Sequence, residues 1–450
     1  MNPDPRGAVD RRILAGGFLA TGGWMKQQAG MASADLPADA ASYIHHGTPA
    51  FRRTNLALFA AGLATFGLLY CVQPLMPEFS RDYGVSEAGA AMSLSLTTGV
   101  LAFAMLFAGG LSDAWGRKPV MVASLVSSAV LVLASAAMPG WGSLLVVRTL
   151  LGLTLSGLPA VAMTYLSEEM HVESIGLGMG LYISGSAVGG MGGRLVTGVL
   201  TDFFDWRVGV AVVGVIGLAC ALAFWRALPP SRHFVRQPLS PHALASRFGG
   251  MFHDRGLPWL FVEGFLLLGA FVTVYNYLGY RLLAPPYNLS QAVVGLIFGI
   301  YLIGTFSSAW MGHLAGKLGR RKVLWTALAL MLVGVVLTLA ASLWLIMLGI
   351  VAITFGFFGG HSIVSSWVGR RAGAAKAQAS SMYLFCYYMG SSVAGASGGL
   401  FYAAHGWNGV AAFVGALVLA GLAIALGLVR LKPLVNVVTP PTPMSKGAMG

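Results

Sequence analysis

The chain has 450 residues, of which 56% are apolar and only 10% charged, and its formal net charge is +13. A water-soluble globular protein carries roughly 25% charged residues, so an assembly of two or three soluble domains is excluded for lack of polar surface. The positive balance argues for nucleic-acid binding only after the charges have been placed relative to a bilayer.

Residues 1–52 read as a polar, Ala/Gly-rich cytoplasmic tail without stable structure. Their one apolar run, Ile13 to Gly23, is too short to span a membrane or to serve as a cleaved signal. From there the sequence offers twelve long apolar runs, each near the roughly 20 residues that cross a bilayer as a helix. They cover 56–75, 88–109, 119–138, 142–166, 176–200, 208–226, 258–282, 292–312, 323–341, 343–367, 379–402 and 408–430. The predicted fold is therefore an all-α polytopic membrane protein with twelve transmembrane helices. Residues 53–226 form one six-helix bundle and 258–432 a second. Residues 227–257, with Pro229, Pro230, Pro238 and Pro241, form a cytoplasmic linker, and 433–450 a cytoplasmic tail.

With the N-terminus inside, the cytoplasmic segments near the membrane hold 19 Lys and Arg and the outer ones three, Arg81, Arg207 and Arg281. Basic residues mark the cytoplasmic side, so both termini are placed there. The charge is mostly an orientation signal, not a nucleic-acid footprint. One inner loop dissents, because Glu168, Glu169 and Glu173 have no basic residue beside them.

The two halves repeat. GGLSDAWGR at 109–117 recurs as GHLAGKLGR at 312–320, an offset of 203. Gly185 to Gly189 recurs at Gly390 to Ala394, and Trp206 at Trp407. Three segments in the same order and spacing predict a tandem six-helix repeat about a pseudo-two-fold axis.

The first copy is the sharpest local signal. Gly109 would admit a close helix contact, and Gly116 would supply a tight turn. Arg117 and Lys118 would hold the loop in the cytosol, and Asp113 could pair with Arg117 or sit at a neighbouring helix N-terminus. The second copy keeps Gly312, Gly319, Arg320 and Arg321 but has Gly316 in place of the Asp. Cys71, Cys220 and Cys386 show no metal-site or disulfide spacing, no enzyme motif stands out, and no cofactor is expected.

Away from their ends, the spans carry formal charge only at Arg148, Arg194 and Glu263. A charge in hydrocarbon is costly, which makes each a functional candidate. Glu263, early in span 7, reads as a proton carrier; the alternative is a carboxylate solvated near the inner interface or paired with linker arginines. Arg148 is either functional or bonded to backbone carbonyls. Arg194 reads as a substrate contact or as a side chain reaching outward to Asp202 or Asp205. Gly185, Gly189 and Gly193, at four-residue spacing, share one face of span 5 and favour close packing. Candidate substrate contacts are Tyr70 and Gln73 in span 1, and Tyr275, Asn276, Tyr277 and Tyr280 in span 7. Tyr301 in span 8, His361 in span 10, and Tyr383, Tyr387 and Tyr388 in span 11 complete the set.

The 109–118 segment resembles the G-x-L-a-D-r-x-G-R signature of the major facilitator superfamily, and the resemblance covers roughly 50–432. Asn55 to Glu78, Thr164 to His171 and Gly180 to Arg207 look like the YnfM-like, acriflavine-sensitivity branch of bacterial inner-membrane transport proteins. The resemblance implies a rocking, alternating-access transporter in which Gly109, Asp113, Gly116, Arg117 and Lys118 gate the outward-facing state. Arg148 and Gly152 are similar to the family's R-x-x-q-G motif, whose Arg is associated with proton transfer. The expected function is proton-coupled antiport that exports a small organic solute, a drug-like cation or a sugar or polyol, from a monomer in the bacterial inner membrane. Uptake by symport or uniport is the near alternative, and a receptor or scaffold the remote one.

Overall fold

The protein is described by a computed structural model covering residues 43–236 and 254–429. Most of the expected N-terminal tail, the linker core at 237–253 and the C-terminal tail lie outside the described residues.

The first pass is α1 (Pro49–Tyr70), continued through a 3-10 turn at Gln73–Leu75 into α2 (Met76–Tyr83). α3 (Glu87–Trp115) and α4 (Arg117–Ala136) follow, joined by a turn at Gly116. The fourth pass is α5 (Trp141–Leu155) and α6 (Pro159–Glu169), interrupted just before Pro159, whose ring cannot continue a hydrogen-bonded helix. α7 (Val172–Phe203) and α8 (Trp206–Ala227) complete the first half. The second half runs through α9 (Leu257–Leu283), α10 (Gln291–Ile297), α11 (Tyr301–Leu318), α12 (Arg320–Leu337), α13 (Leu343–Arg371) and α14 (Lys376–Val429).

Among the described residues, nine helical segments are long and apolar enough to cross a membrane. The last holds two passes, because His405 and Gly406 leave helical geometry inside α14, between the two final predicted spans. With α7 and α12 added, the order is consistent with twelve passes. Gly116 (φ +99°) and Gly319 (φ +92°) turn the chain at equivalent points of the two halves, in a backbone region that favours glycine.

Small residues determine how closely the helices approach. A Cβ on Gly185, Gly189 or Gly193 would overlap the carbonyls of Phe59, Leu63 and Gly67, so α7 lies directly against α1 along the predicted face. The second half repeats the contact, with Gly390 over the Phe265 carbonyl. Gly109 behaves otherwise: nothing lies within 4 Å of a Cβ built there, because this face of α3 meets no neighbour. The close contact expected at Gly109 is therefore absent in this state.

On the face carrying the signature loop, the last residues assigned to the tail are docked. The Ile44 N–H donates to Glu169 O (2.8 Å) and His171 N–H to Ile44 O (3.1 Å). Tyr43 stacks on His233 at 4.2 Å and His45 on His171 at 4.5 Å. The extended backbone thus satisfies loop groups that would otherwise lack partners, and α1 starts at Pro49, ahead of the predicted bundle boundary at 53. Where the chain re-enters at Asp254, burial would push its carboxyl up. Hydrogen bonds from Arg371 (2.5 Å) and from the Gly256 and Leu257 N–H groups hold it below its ordinary value instead.

The halves meet tightly on the opposite face. Gly198 of α7 and Gly295 of α10 touch backbone to backbone. The Gln291 N–H donates to Asp202 Oδ1 (3.1 Å), and Gln291 Nε2 to Pro74 O (2.5 Å). The Tyr280 hydroxyl lies 2.7 Å from the Ser80 hydroxyl. The structure is closed on this face.

Gly189→Val should lower the stability of the purified protein by about 1–3 kcal/mol or more, the cost of overpacking. Gly109→Ala should stay within about 0.5 kcal/mol of the parent. Thermal unfolding in detergent measures both, and equal effects would contradict the packing described.

Candidate functional site

All three intramembrane charges are enclosed, with exposures of 0% for Arg148, 4% for Arg194 and 0% for Glu263. Their partners differ in kind. Arg148 donates from Nε to Ser93 O (2.9 Å), from Nη2 to Leu69 O (2.8 Å) and from Nη1 to Leu68 O (3.4 Å). The guanidinium ties α5 to the end of α1 and to the second turn of α3 through main-chain acceptors. Thr97 Oγ1 returns a bond to Arg148 O (2.9 Å).

Arg194 does not reach outward. Its Nε donates to Gln73 Oε1 (2.6 Å) and its Nη1 to Gly190 O (2.6 Å). Its guanidinium carbon stands 4.0 Å from the Tyr70 ring centre, 4.7 Å from Tyr301 and 5.2 Å from Phe298. Cation–π attraction of this kind strengthens when the charge is desolvated, which is why the side chain turns into the protein. The carboxylates proposed for it are engaged elsewhere. Asp202 accepts from Gln291, and Asp205 caps α8 through the Arg207 N–H (2.8 Å). Among the described residues, Arg194 has no carboxylate partner.

Gln73 then passes the contact across the molecule, its Nε2 donating to Asn276 Oδ1 (2.7 Å). Around this chain the two halves contribute an aromatic cluster. Tyr275 shares a hydrogen bond with the Thr354 hydroxyl (2.8 Å), and its ring lies 5.1 Å from Tyr301. The Tyr301 hydroxyl and Asn276 Nδ2 are buried without a hydrogen-bond partner among the described residues. His361 Nδ1 lies 2.8 Å from the Tyr383 hydroxyl, and its ring 4.6 Å from Tyr387. The structure thus brings together Tyr70, Gln73, Arg194, Tyr275, Asn276, Tyr301, His361, Tyr383 and Tyr387. Sequence reasoning missed Phe298, Phe357 and Thr354, which complete the cluster but look like ordinary span residues.

Glu263 lies apart. It faces Gly421 of the last pass, where a Cβ would come within 3.0 Å of Oε2 and 3.4 Å of Leu328. Neither carboxyl oxygen has a hydrogen-bond partner among the described residues, so pairing with linker arginines is not what the structure shows. The neighbouring Gly264 leaves room for the Tyr383 ring, which a Cβ there would meet at 2.6 Å. Tyr383 therefore lies beside the turn of α9 that carries Glu263 and bonds to His361 of the cluster.

The signature loop forms a separate network. Arg117 donates to Asp113 Oδ1 (2.5 Å) and Ser112 Oγ (2.6 Å), and grips Glu168 with Nη2 (2.6 Å) and Nε (3.0 Å). Lys118 Nζ donates to Leu228 O (2.5 Å). Glu169 Oε1 accepts from the Arg232 and His233 N–H groups (2.7 and 2.9 Å). The dissenting acidic loop is explained: two of its carboxylates neutralise the signature arginine and hold the linker. Acids stranded on a basic face were the signal for these partners. Gly312 meets Ser362, and Arg320 and Arg321 line a surface pocket with Gly319. No group of three or more metal-ligating side chains occurs among the described residues.

Comparison with known proteins supplies the family. Residues 57–287 and 266–447 match the profile of the Major Facilitator Superfamily. The chain is 52% identical over 388 residues to the inner membrane transport protein YnfM of Escherichia coli (strain K12), covering 86% of this chain and 93% of that one. It is 47% identical over 389 residues to the uncharacterized MFS-type transporter YybF of Bacillus subtilis (strain 168), covering 86% and 96%. The fold is similar to that of the nucleoside transporter NupG, with a TM-score of 0.70 at 15% identity, over 83% of this chain and 99% of that one.

Gln73→Leu should destabilise the closed protein by about 1–3 kcal/mol, because it leaves Arg194 Nε without its acceptor. Combined with Asn276→Leu in a double-mutant cycle, the coupling should exceed about 0.5 kcal/mol. Strict additivity of the unfolding free energies would show that the bridge between halves carries no energy.

Proposed function

We propose that this chain, which belongs to the Major Facilitator Superfamily, is a proton-coupled antiporter that exports a small organic anion. It would work by alternating access in the bacterial inner membrane, the location named for its YnfM relative, with both termini in the cytoplasm. The observation that carries the reading is Arg194, a buried cation held over aromatic rings with no carboxylate beside it among the described residues. A carboxylate substrate would supply the missing charge. The unpartnered Tyr301 hydroxyl would offer it a donor, and the surrounding rings an apolar seat.

Of the solutes expected from sequence, a drug-like cation fits poorly, because it would bring a second positive charge next to Arg194 in a medium of low dielectric. A sugar or polyol would leave that charge unanswered. Charge movement favours export: an anion leaving and a proton entering both move downhill in an inside-negative potential, by about 2.3 kcal/mol per charge for each 100 mV. Glu263, buried and unpartnered, is the group assigned to carry the proton. Arg148, with its donors on carbonyls, is assigned to holding α5 in place.

Counterflow in proteoliposomes tests the reading with benzoate, benzyl alcohol and benzyltrimethylammonium as competitors of a labelled aromatic carboxylate. Benzoate should compete best, and Arg194→Gln should weaken it by about ten- to a hundredfold without changing the alcohol. Preference for the quaternary ammonium would sink the anion assignment. Glu263→Gln should keep exchange but lose acceleration by an imposed pH gradient; full proton-driven transport in that protein removes Glu263 from coupling.

A further inference from the structure

The signature end of the second half holds a pocket of about 680 Å³. Arg320, Arg321 and Lys322 line it on one side, with Trp325, Trp367 and Leu426 around them. Arg320 Nε is buried there without a hydrogen-bond partner among the described residues, and Arg370 adds a repelling charge nearby. Trp325 and Leu426 are 45% and 56% exposed, on the outer surface of the helix bundle.

The first half shows what such a position requires. Arg117, which precedes Arg320 by the repeat offset of 203, is neutralised by Asp113 and Glu168. The same offset carries Asp113 to Gly316 and Glu168 to Arg371. A glycine stands in place of one acid and a cation in place of the other, the cation itself engaged by Asp254. The second half therefore keeps the arginine and lacks both anions that answer it in the first.

We infer that this pocket binds the phosphodiester headgroup of an anionic phospholipid of the cytoplasmic leaflet, with the phosphate at Arg320 and Lys322 and an acyl chain along Trp325 and Leu426. Basic pockets between transmembrane helices on the cytoplasmic side suit anionic headgroups, and tryptophan favours the depth of the membrane interface. The inference uses the proposed orientation but is independent of the substrate.

Native mass spectrometry of the full protein, released from nanodiscs containing equal phosphatidylglycerol and phosphatidylcholine of matched chains, tests it. Phosphatidylglycerol should be retained and phosphatidylcholine lost. Arg320→Gln with Lys322→Gln should reduce retention by about fivefold per charge removed, while Arg81→Gln on the opposite face leaves it unchanged. The charge-keeping pair Arg320→Lys and Lys322→Arg should retain the lipid. If the neutralised protein does not fold, loss of the preference in concentrated salt supports the site, and persistence there overturns it. Equal retention of the two lipids overturns it as well. Displacement of the lipid by millimolar inorganic phosphate would assign the pocket to free phosphate instead.

Discussion

A hydrocarbon interior offers no water, so every charge buried in it must be answered by the protein. Three charges lie in the spans away from their ends, and the protein answers them in three ways. Arg148 is given carbonyls, which makes it a rivet between helices. Arg194 is given one amide oxygen, one carbonyl and the faces of aromatic rings, acceptors that hold it without cancelling its charge. Glu263 is given no hydrogen-bond partner among the described residues. The first arrangement is complete in itself; the other two leave an electrostatic demand that a substrate and a proton could meet.

The pseudo-two-fold repeat explains where these demands can sit. Gln73 and Asn276 are 203 residues apart, the repeat offset of the signature, so the amides that meet between the halves are equivalent residues. The three charges have no such counterparts: the offset of 203 carries Arg148 to Val351 and relates Glu263 to Ala60, and the offset of 205 that relates Gly185 to Gly390 carries Arg194 to Gly399. The scaffold is symmetric and the chemistry is not. The bridge is also neutral. Separating the halves breaks an amide–amide bond worth about 0.5–1.5 kcal/mol net, while Arg194 can keep its own contact with Gln73. A rocking motion can therefore proceed without stranding a charge.

Features set by local spacing were legible in the sequence. Span positions, the turn glycines at 116 and 319, and the glycine face of α7 follow from periodicity and from the backbone itself. Side-chain direction was not legible, because tertiary neighbours decide it. Arg194 could point outward to two carboxylates or inward to three rings, and only the position of α1 and α11 resolves this. Glu168, the distant partner of Arg117, lies 51 residues away, and the Ile44 contact with Glu169 joins segments separated by most of the first half. A loop of unmatched acids signalled that partners existed without saying which.

The separation of Glu263 from Arg194 constrains how proposed coupling can operate. Glu263 packs against Gly421 of the last pass, and Arg194 belongs to the opposite half. A proton and a substrate anion could not compete for one shared group. Coupling would have to pass through a conformational equilibrium that both ligands bias. An ionised carboxylate without a partner costs several kcal/mol in such surroundings, a demand that a proton would meet. Tyr383, lying against Gly264 and bonded to His361, joins the helix turn that carries Glu263 to the cluster. Water reaching Glu263 from the signature face would release its proton while the cluster faces the cytoplasm. That order of events is the one antiport requires, because the empty site then faces the anion it is to export.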